Sequence, residues 1–229
     1  MGVVPERRSD VRIGRWRRLA RALTPWIARA SATPYATHVP VLVGLARLLP
    51  VRSVVEFGMG HYSTATFLDP AVFAELVRLD SFETDPAWIR RLAPLCAATP
   101  KVRATLVSGP MCAAVGRLNF ADYDLVLVDD SRDVAARAAT IQQVLRHCQP
   151  TNVVVIHDFE IAAYRAAAAA AAHQFTMTAL LPRTGVLWRA GPLDAGRLAA
   201  LNRAIKRHAR RVPPDDRAQW LALLGCARG

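Results

Sequence analysis

The side chains of this chain that could do chemistry cluster at the ends of short apolar runs. Val54, Val55 and Phe57 form a β-branched and aromatic run that reads as a buried strand, ending in Glu56-Phe57-Gly58-Met59-Gly60. Glycines at Gly58 and Gly60 let the backbone turn tightly and approach a ligand closely. About one strand and one helix later, a second apolar stretch over 76–82 ends in Glu83. A carboxylate in that place can accept hydrogen bonds from both hydroxyls of a ribose, so the pair points to a nucleoside-bearing cofactor. Asp85 is the alternative for the same role; with Pro86 it also has the makings of a helix start.

A second group lies further on. Asp129 and Asp130 close one apolar run, and His157 and Asp158 close the next. Ligands of open α/β sheets sit outside the carboxyl ends of the strands, so these side chains would converge on one site. Two chemistries fit them. His157 or Asp129 can take a proton from the hydroxyl or amine of an acceptor, as a general base. Alternatively, Asp129 and Asp158 can hold a divalent cation that lowers the pKa of an acceptor hydroxyl. Plainer roles compete with both: His157 as a hydrogen-bonded histidine that orients a loop, and Asp130, Arg132 and Asp133 as the opening of the next helix. Tyr164 and Arg165 reach the same side of the sheet only if their helix begins near Glu160.

The elements that must carry these residues alternate regularly. Strands are expected near 52–57, 77–83, 102–107, 124–129 and 152–157, with helices near 63–75, 86–97, 111–118, 133–148 and 159–173. Such alternation implies a parallel sheet covered by helices on both faces. Continuously apolar runs over 125–128 and 153–156 suit its central strands. Beyond them, 175–181 and 186–189 read as an antiparallel hairpin turning through Pro182-Arg183-Thr184-Gly185. Helices over 194–211 and 215–224 follow, the second with Asp215 as its cap. Ahead of the alternation, 41–49 reads as a helix, and 12–30 as an amphipathic basic helix that Pro25 can kink. A single domain over 32–191 is expected, with helical extensions at 1–31 and 192–229.

The bulk properties bound the function. With 229 residues, 52% hydrophobic and 21% charged, the chain can bury one sizeable core. Cys96, Cys112, Cys148 and Cys226 lie far apart without a CxxC pair, which argues against a zinc site or a disulfide framework and suits a reducing cytoplasm. The net charge of +12 divides into +6 over 1–31, −1 over 32–182 and +7 over 183–229. Basic ends can attract an anionic membrane surface or nucleic acid. Peripheral membrane contact through the N-terminal helix is the sharper reading; packing on the domain's rim is the plainer one. Nothing resembles an RNA-reading aromatic platform. No apolar run is long enough to span a bilayer, and the N-terminus lacks the apolar region of a secretory signal.

Five alternating units closed by a hairpin resemble the class I S-adenosylmethionine-dependent methyltransferases, over about residues 35–190. Glu56-x-Gly58-x-Gly60 is similar to their first motif and Glu83 to their ribose-binding acid. YDLVLVDD, ending in Asp130, resembles the fourth motif, and VVVIHD, ending in Asp158, the fifth strand with its catalytic edge. More narrowly, the run from Glu56 to Trp88 is similar to methyltransferase-like proteins carrying E-x-G-x-G…S-T and then E-x-D-x-x-W. The resemblance implies an α/β, doubly wound, mostly parallel seven-stranded sheet of order 3-2-1-4-5-7-6 with a terminal antiparallel hairpin. It implies S-adenosylmethionine as cofactor, held by Glu56, Gly58, Gly60, Ser63, Glu83, Ser108, Met111 and Asp129, with His157, Asp129 and Asp158 as catalytic candidates. It also places His38, in TPYATH, where relatives close a lid over the cofactor.

This sequence departs from the family at Tyr62, which replaces the usual third glycine, and after Val107, where the frequent adenine-binding acid is missing. Phe159 stands where metal-dependent members carry Asn or Asp, so a divalent cation is not favoured. The expected activity is methyl transfer to a small-molecule acceptor, at a hydroxyl. A nicotinamide-dependent oxidoreductase is the alternative, although Gly58, Gly60 and Ser63 give GxGxxS rather than GxGxxG. A catalytically silent cofactor-fold protein with membrane- or RNA-binding ends is the other.

Overall fold

The computed structural model describes residues 23–28, 30–31 and 33–209. Its strands are the apolar runs: β1 (Ser53–Phe57), β2 (Arg78–Glu83), β3 (Val102–Leu106), β4 (Leu125–Val128), β5 (Val153–Ile156), β6 (His173–Met177) and β7 (Thr184–Trp188). They form one seven-stranded sheet of order β3-β2-β1-β4-β5-β7-β6. β1 to β5 pair in parallel, whereas β7 runs antiparallel between β5 and β6. β4 and β5 are buried at every position, as central strands covered on both faces must be.

Side-chain alternation splits the interior into two cores. Val54, Leu125 and Val153 face one, with α1 (Val39–Leu48), α2 (Ser63–Leu68) and α7 (Ala195–Ala209). Val55, Phe57 and Val126 face the other, with α4 (Met111–Val115), α5 (Val134–His147) and α6 (Ala162–Ala167). α3 (Pro86–Ala97) packs beside β2 and β3. The C-terminal stretch is part of the first core: Leu198, Leu201 and Ile205 are buried at helical spacing, and Leu201 lies so close to Gly44 that a Cβ there would meet it at 2.5 Å.

Several bounds differ from expectation. The helix expected over 63–75 stops at Leu68, where Asp69 leaves the helical region (ψ 110°) ahead of Pro70. The helix expected over 111–118 ends at Val115, and a 3-10 turn, Phe120–Asp122, follows. The helix expected over 159–173 is only Ala162–Ala167, and His173 already opens β6. β7 begins at Thr184, so Gly185 belongs to the strand rather than to the turn. Residues 23–28 and 30–31 are helical, with Leu23 and Ile27 in the first core. The rest of the 12–30 helix and the 215–224 helix lie outside the described residues. No helix among the described residues is long and apolar enough to cross a membrane.

Candidate active site

The site lies at the carboxyl ends of β1, β2, β4 and β5, where the sheet order reverses direction. After β1 the chain turns at Gly58, whose φ of +87° suits glycine. A Cβ there would stand 2.2 Å from the carbonyl oxygen of Asp129, so the turn fits against the end of β4 only without a side chain. The amide of Gly58 donates to Phe82 O and that of Asp129 to Phe57 O, each 2.8–2.9 Å, which ties three strand ends together. Gly60 is less confined: a Cβ would lie 2.3 Å from Ser63 Oγ, the end of a side chain that can turn away, with the next atoms at 3.5 Å.

Beneath this turn Glu56 is fully buried. Thr64 and Ser81 donate their hydroxyls to its Oε2 at 2.8 and 2.7 Å, while Oε1 has no partner. Burial outweighs the nearby hydroxyls of Ser63, Ser81 and Thr64, raising its pKa to about 7. Glu56 therefore lies inside the protein, bracing the helix that starts at Ser63. Thr64 carries the brace to the turn by accepting from the Gly60 amide at 3.2 Å.

Glu83 is nearly buried at the end of β2. The amides of Thr84 and Asp85 donate to its Oε1 at 2.6 and 2.9 Å, which orients the carboxylate and leaves Oε2 for a ligand. Asp85, the alternative, is engaged otherwise: it caps α3, accepting from the Ala87 amide at 2.8 Å. Trp88, on the first turn of α3, donates its indole N–H to Met59 O and so fastens the glycine turn to the β2 side. Past β3, Met111 is buried and Ser108 exposed, on the flank where the resemblance puts an adenine.

The strand-end cluster is an ion network centred on Arg137, which the sequence did not single out. This guanidinium, 4% exposed, reaches from α5 to Asp129 (Nη2–Oδ1 2.8 Å) and Asp158 (Nη1–Oδ2 2.9 Å), and lies 5.3 Å above the Tyr164 ring. Asp158 sits at φ +56°, in a region that Asp tolerates better than most residues. Asp130 is separate: it accepts from Thr140 at 2.7 Å inside the protein, and burial pushes its pKa up to about 6. Asp133 caps α5. Tyr164 is buried, and Arg165 donates to backbone carbonyls of Phe159 and Glu160, so only Tyr164 borders the cluster.

His157 is buried and engaged at both nitrogens. Its Nδ1 lies 3.2 Å from Asp129 Oδ2, and its Nε2 lies 2.9 Å from Thr37 Oγ1. A hydroxyl has one hydrogen, and Thr37 directs it to Pro182 O at 2.8 Å, so Thr37 accepts from Nε2–H. Burial would lower the pKa of His157, but the Asp129 hydrogen bond and the charges of Asp129 and Asp158 outweigh it and raise it. For Asp129, burial acts upward, and His157 and Arg137 together hold it below the usual carboxylate value.

His38 lies edge-on to His157, with ring centroids 4.7 Å apart and planes at 70°. Its backbone is the N-cap of α1 but its side chain makes no cap bond: it is 2% exposed, and neither ring nitrogen has a partner among the described residues. Burial and the neighbouring His157 lower its pKa to about 3, so it is neutral. Arg137 takes one oxygen of each of Asp129 and Asp158, so a hard cation shared by the two would have a single oxygen from each and the guanidinium's charge set against it. Nitrogen and oxygen donors of His38, Asp129 and His157 do converge, all within 4.8 Å of one another.

No family model and no curated protein sequence matches the chain. Solved structures do match. Human methyltransferase-like protein 13, in complex with S-adenosylhomocysteine, is similar at 16% identity over 76% of this chain and 92% of that one, with a TM-score of 0.51. A candidate caffeoyl-CoA O-methyltransferase from Staphylococcus aureus is similar at 10% identity over 67% and 83%, with a TM-score of 0.52. A candidate O-methyltransferase from Klebsiella pneumoniae is similar at 18% identity over 76% and 90%, with a TM-score of 0.51. With the strand order and the antiparallel β7, these likenesses show that the chain has the fold of the class I S-adenosylmethionine-dependent methyltransferases.

Proposed function

We propose that this chain is an S-adenosylmethionine-dependent methyltransferase acting on the hydroxyl of a small, uncharged molecule. The observation that carries the reading is the glycine turn: Gly58 is pressed against the end of β4, and Glu83 stands beside it with one carboxylate oxygen tied down and the other open. The amides after Gly58 and Gly60 would meet the methionine part of the cofactor. Oε2 of Glu83 would accept from the ribose, and Met111 and Ser108 would border the adenine.

Methyl transfer from a sulfonium needs little beyond in-line positioning. Asp129 would accept the hydrogen bond of the acceptor hydroxyl and aim it. His157 and Arg137 hold that carboxylate, and Asp158 holds Arg137 from its far side. Bound S-adenosylmethionine would supply the methyl group from its sulfonium, and Asp129 would take the proton that the acceptor hydroxyl gives up. Thr37 also borders a cleft of about 290 Å³, lined among the described residues by Ser31, Thr33, Pro34, Leu180 and Leu181 and others that are all uncharged. Its size and lining favour a small neutral acceptor. The nicotinamide reading has less support, because dinucleotide folds of order 3-2-1-4-5-6 have no antiparallel seventh strand.

Calorimetric titration with S-adenosylmethionine, S-adenosylhomocysteine and NADH tests the proposal. Binding of both adenosyl compounds on the order of micromolar is expected, with none for NADH and loss in Glu83→Ala. Absence of adenosyl binding at millimolar concentration would overturn it.

A further inference from the structure

We propose that His38, Asp129 and His157 form a site for a transition-metal dication of the zinc or cobalt kind. The starting observation is His38: its ring is 2% exposed and neither nitrogen has a partner among the described residues. A buried polar group left unpaired costs free energy, so such a group calls for a ligand. The ring stands against His157, and the donor atoms of the three residues lie within 4.8 Å of one another.

Two of the donors already have the spacing of a metal site. Bonds of about 2.0 Å in a tetrahedron put neighbouring ligand atoms about 3.3 Å apart, and His157 Nδ1 stands 3.2 Å from Asp129 Oδ2, so a cation would take the place of the proton that these two atoms now share. The groups behind them are arranged to match. Metal-bound histidines donate their second ring N–H to an acceptor, which fixes the ring; His157 Nε2–H has Thr37 Oγ1 at 2.9 Å, itself anchored on Pro182 O. Arg137 grips Asp129 at Oδ1 and leaves Oδ2 facing the histidines. Imidazole donors select zinc, cobalt or nickel over magnesium and calcium. Three protein ligands leave a fourth position open, as in sites that bind a hydroxyl or water.

The test does not depend on knowing the methyl acceptor. Chelator-stripped full-length protein is titrated with Co²⁺, followed by visible absorption, and with Zn²⁺, followed by calorimetry and thermal melting. Wild type should take up one equivalent, with the visible bands of nitrogen–oxygen coordination and a raised melting temperature. Thr37→Val should bind about 10–100-fold more weakly, as for other groups that orient a ligand. His38→Gln should bind more weakly still while keeping S-adenosylhomocysteine affinity. Glu83→Ala should keep the cobalt spectrum and lose S-adenosylhomocysteine, which separates failure of this site from failure of the cofactor assignment. The proposal is overturned if millimolar Co²⁺ gives no band, if a cobalt–thiolate band shows that cysteines bind instead, or if affinity is unchanged in both Thr37→Val and His38→Gln. Should His38→Gln not fold, Thr37→Val decides.

Discussion

Glu56→Gln offers a test of the buried carboxyl under the glycine turn. Glu56 has no cationic partner among the described residues, its Oε1 is orphaned, and burial raises its pKa from 4.5 to about 7. The folded state thus holds a proton that the unfolded chain releases. The resulting contribution to stability is fully present below the unfolded value of 4.5, shrinks as pH rises, and is gone above the folded value of about 7. Between pH 5 and pH 8 this linkage amounts to about 2–3 kcal/mol at about 1.4 kcal/mol per pKa unit. Glutamine keeps an oxygen for the Thr64 and Ser81 hydroxyls but puts an unpaired N–H₂ at the orphan position, a cost of about 1–3 kcal/mol that does not vary with pH. Urea unfolding of wild type and Glu56→Gln at both pH values isolates the effect, since all other titrations cancel in the difference. The variant's stability relative to wild type should improve by about 2–3 kcal/mol on going from pH 5 to pH 8. A relative stability that is the same at both pH values would refute the reasoning, and would mean that Glu56 has a cationic or hydrogen-bonding partner within reach.

Two further substitutions probe the frame of the site. Gly58→Ala puts a Cβ 2.2 Å from Asp129 O at a φ of +87°, so it should cost about 3 kcal/mol or more in urea unfolding and abolish S-adenosylhomocysteine binding; a loss under about 0.5 kcal/mol would contradict the packing. Arg137→Met strands two carboxylates that, among the described residues, are paired only through this guanidinium and His157, and should destabilise the protein by about 3–5 kcal/mol at neutral pH. If the unfolding midpoint barely moves, the network is solvated and its residues are free to act independently.

Much of the sheet was legible because burial on both faces leaves a plain mark. The runs that became β4 and β5 carry only Leu, Val and Ile, and the acids that end them had to emerge at the carboxyl edge. The errors have physical causes. The alanine run after Tyr164 favours helix intrinsically, yet the chain leaves helix at Ala168 because His173 must already pair with Trp188 in the sheet. Gly185 has the sequence setting of a turn residue, but it is a strand residue that makes room for a ring: a Cβ there would stand 2.5 Å from Phe159. In that case the glycine serves a neighbouring side chain rather than a backbone angle, and a single sequence does not separate the two uses.

The division within the site follows the same line. Gly58, Glu83, Asp129, His157 and Asp158 could be found because each follows an apolar strand, and strand ends converge by topology. Arg137 left no such mark. It sits in VAARAATIQ, where an arginine at that spacing looks like any solvated helix position, and only the packing of α5 against the sheet turns it inward. Yet Arg137 changes the chemistry of the residues that were found. Without it, Asp129 and Asp158 would read as a pair of free carboxylates suited to a hard cation; with it, each is neutralised on one side and aimed on the other. His157, bonded at both nitrogens, then becomes a group that orients Asp129, and His38 is left as the imidazole with nothing attached. The residues that carry charge at this site were visible in the sequence, but their division of labour is set by the one cation that was not.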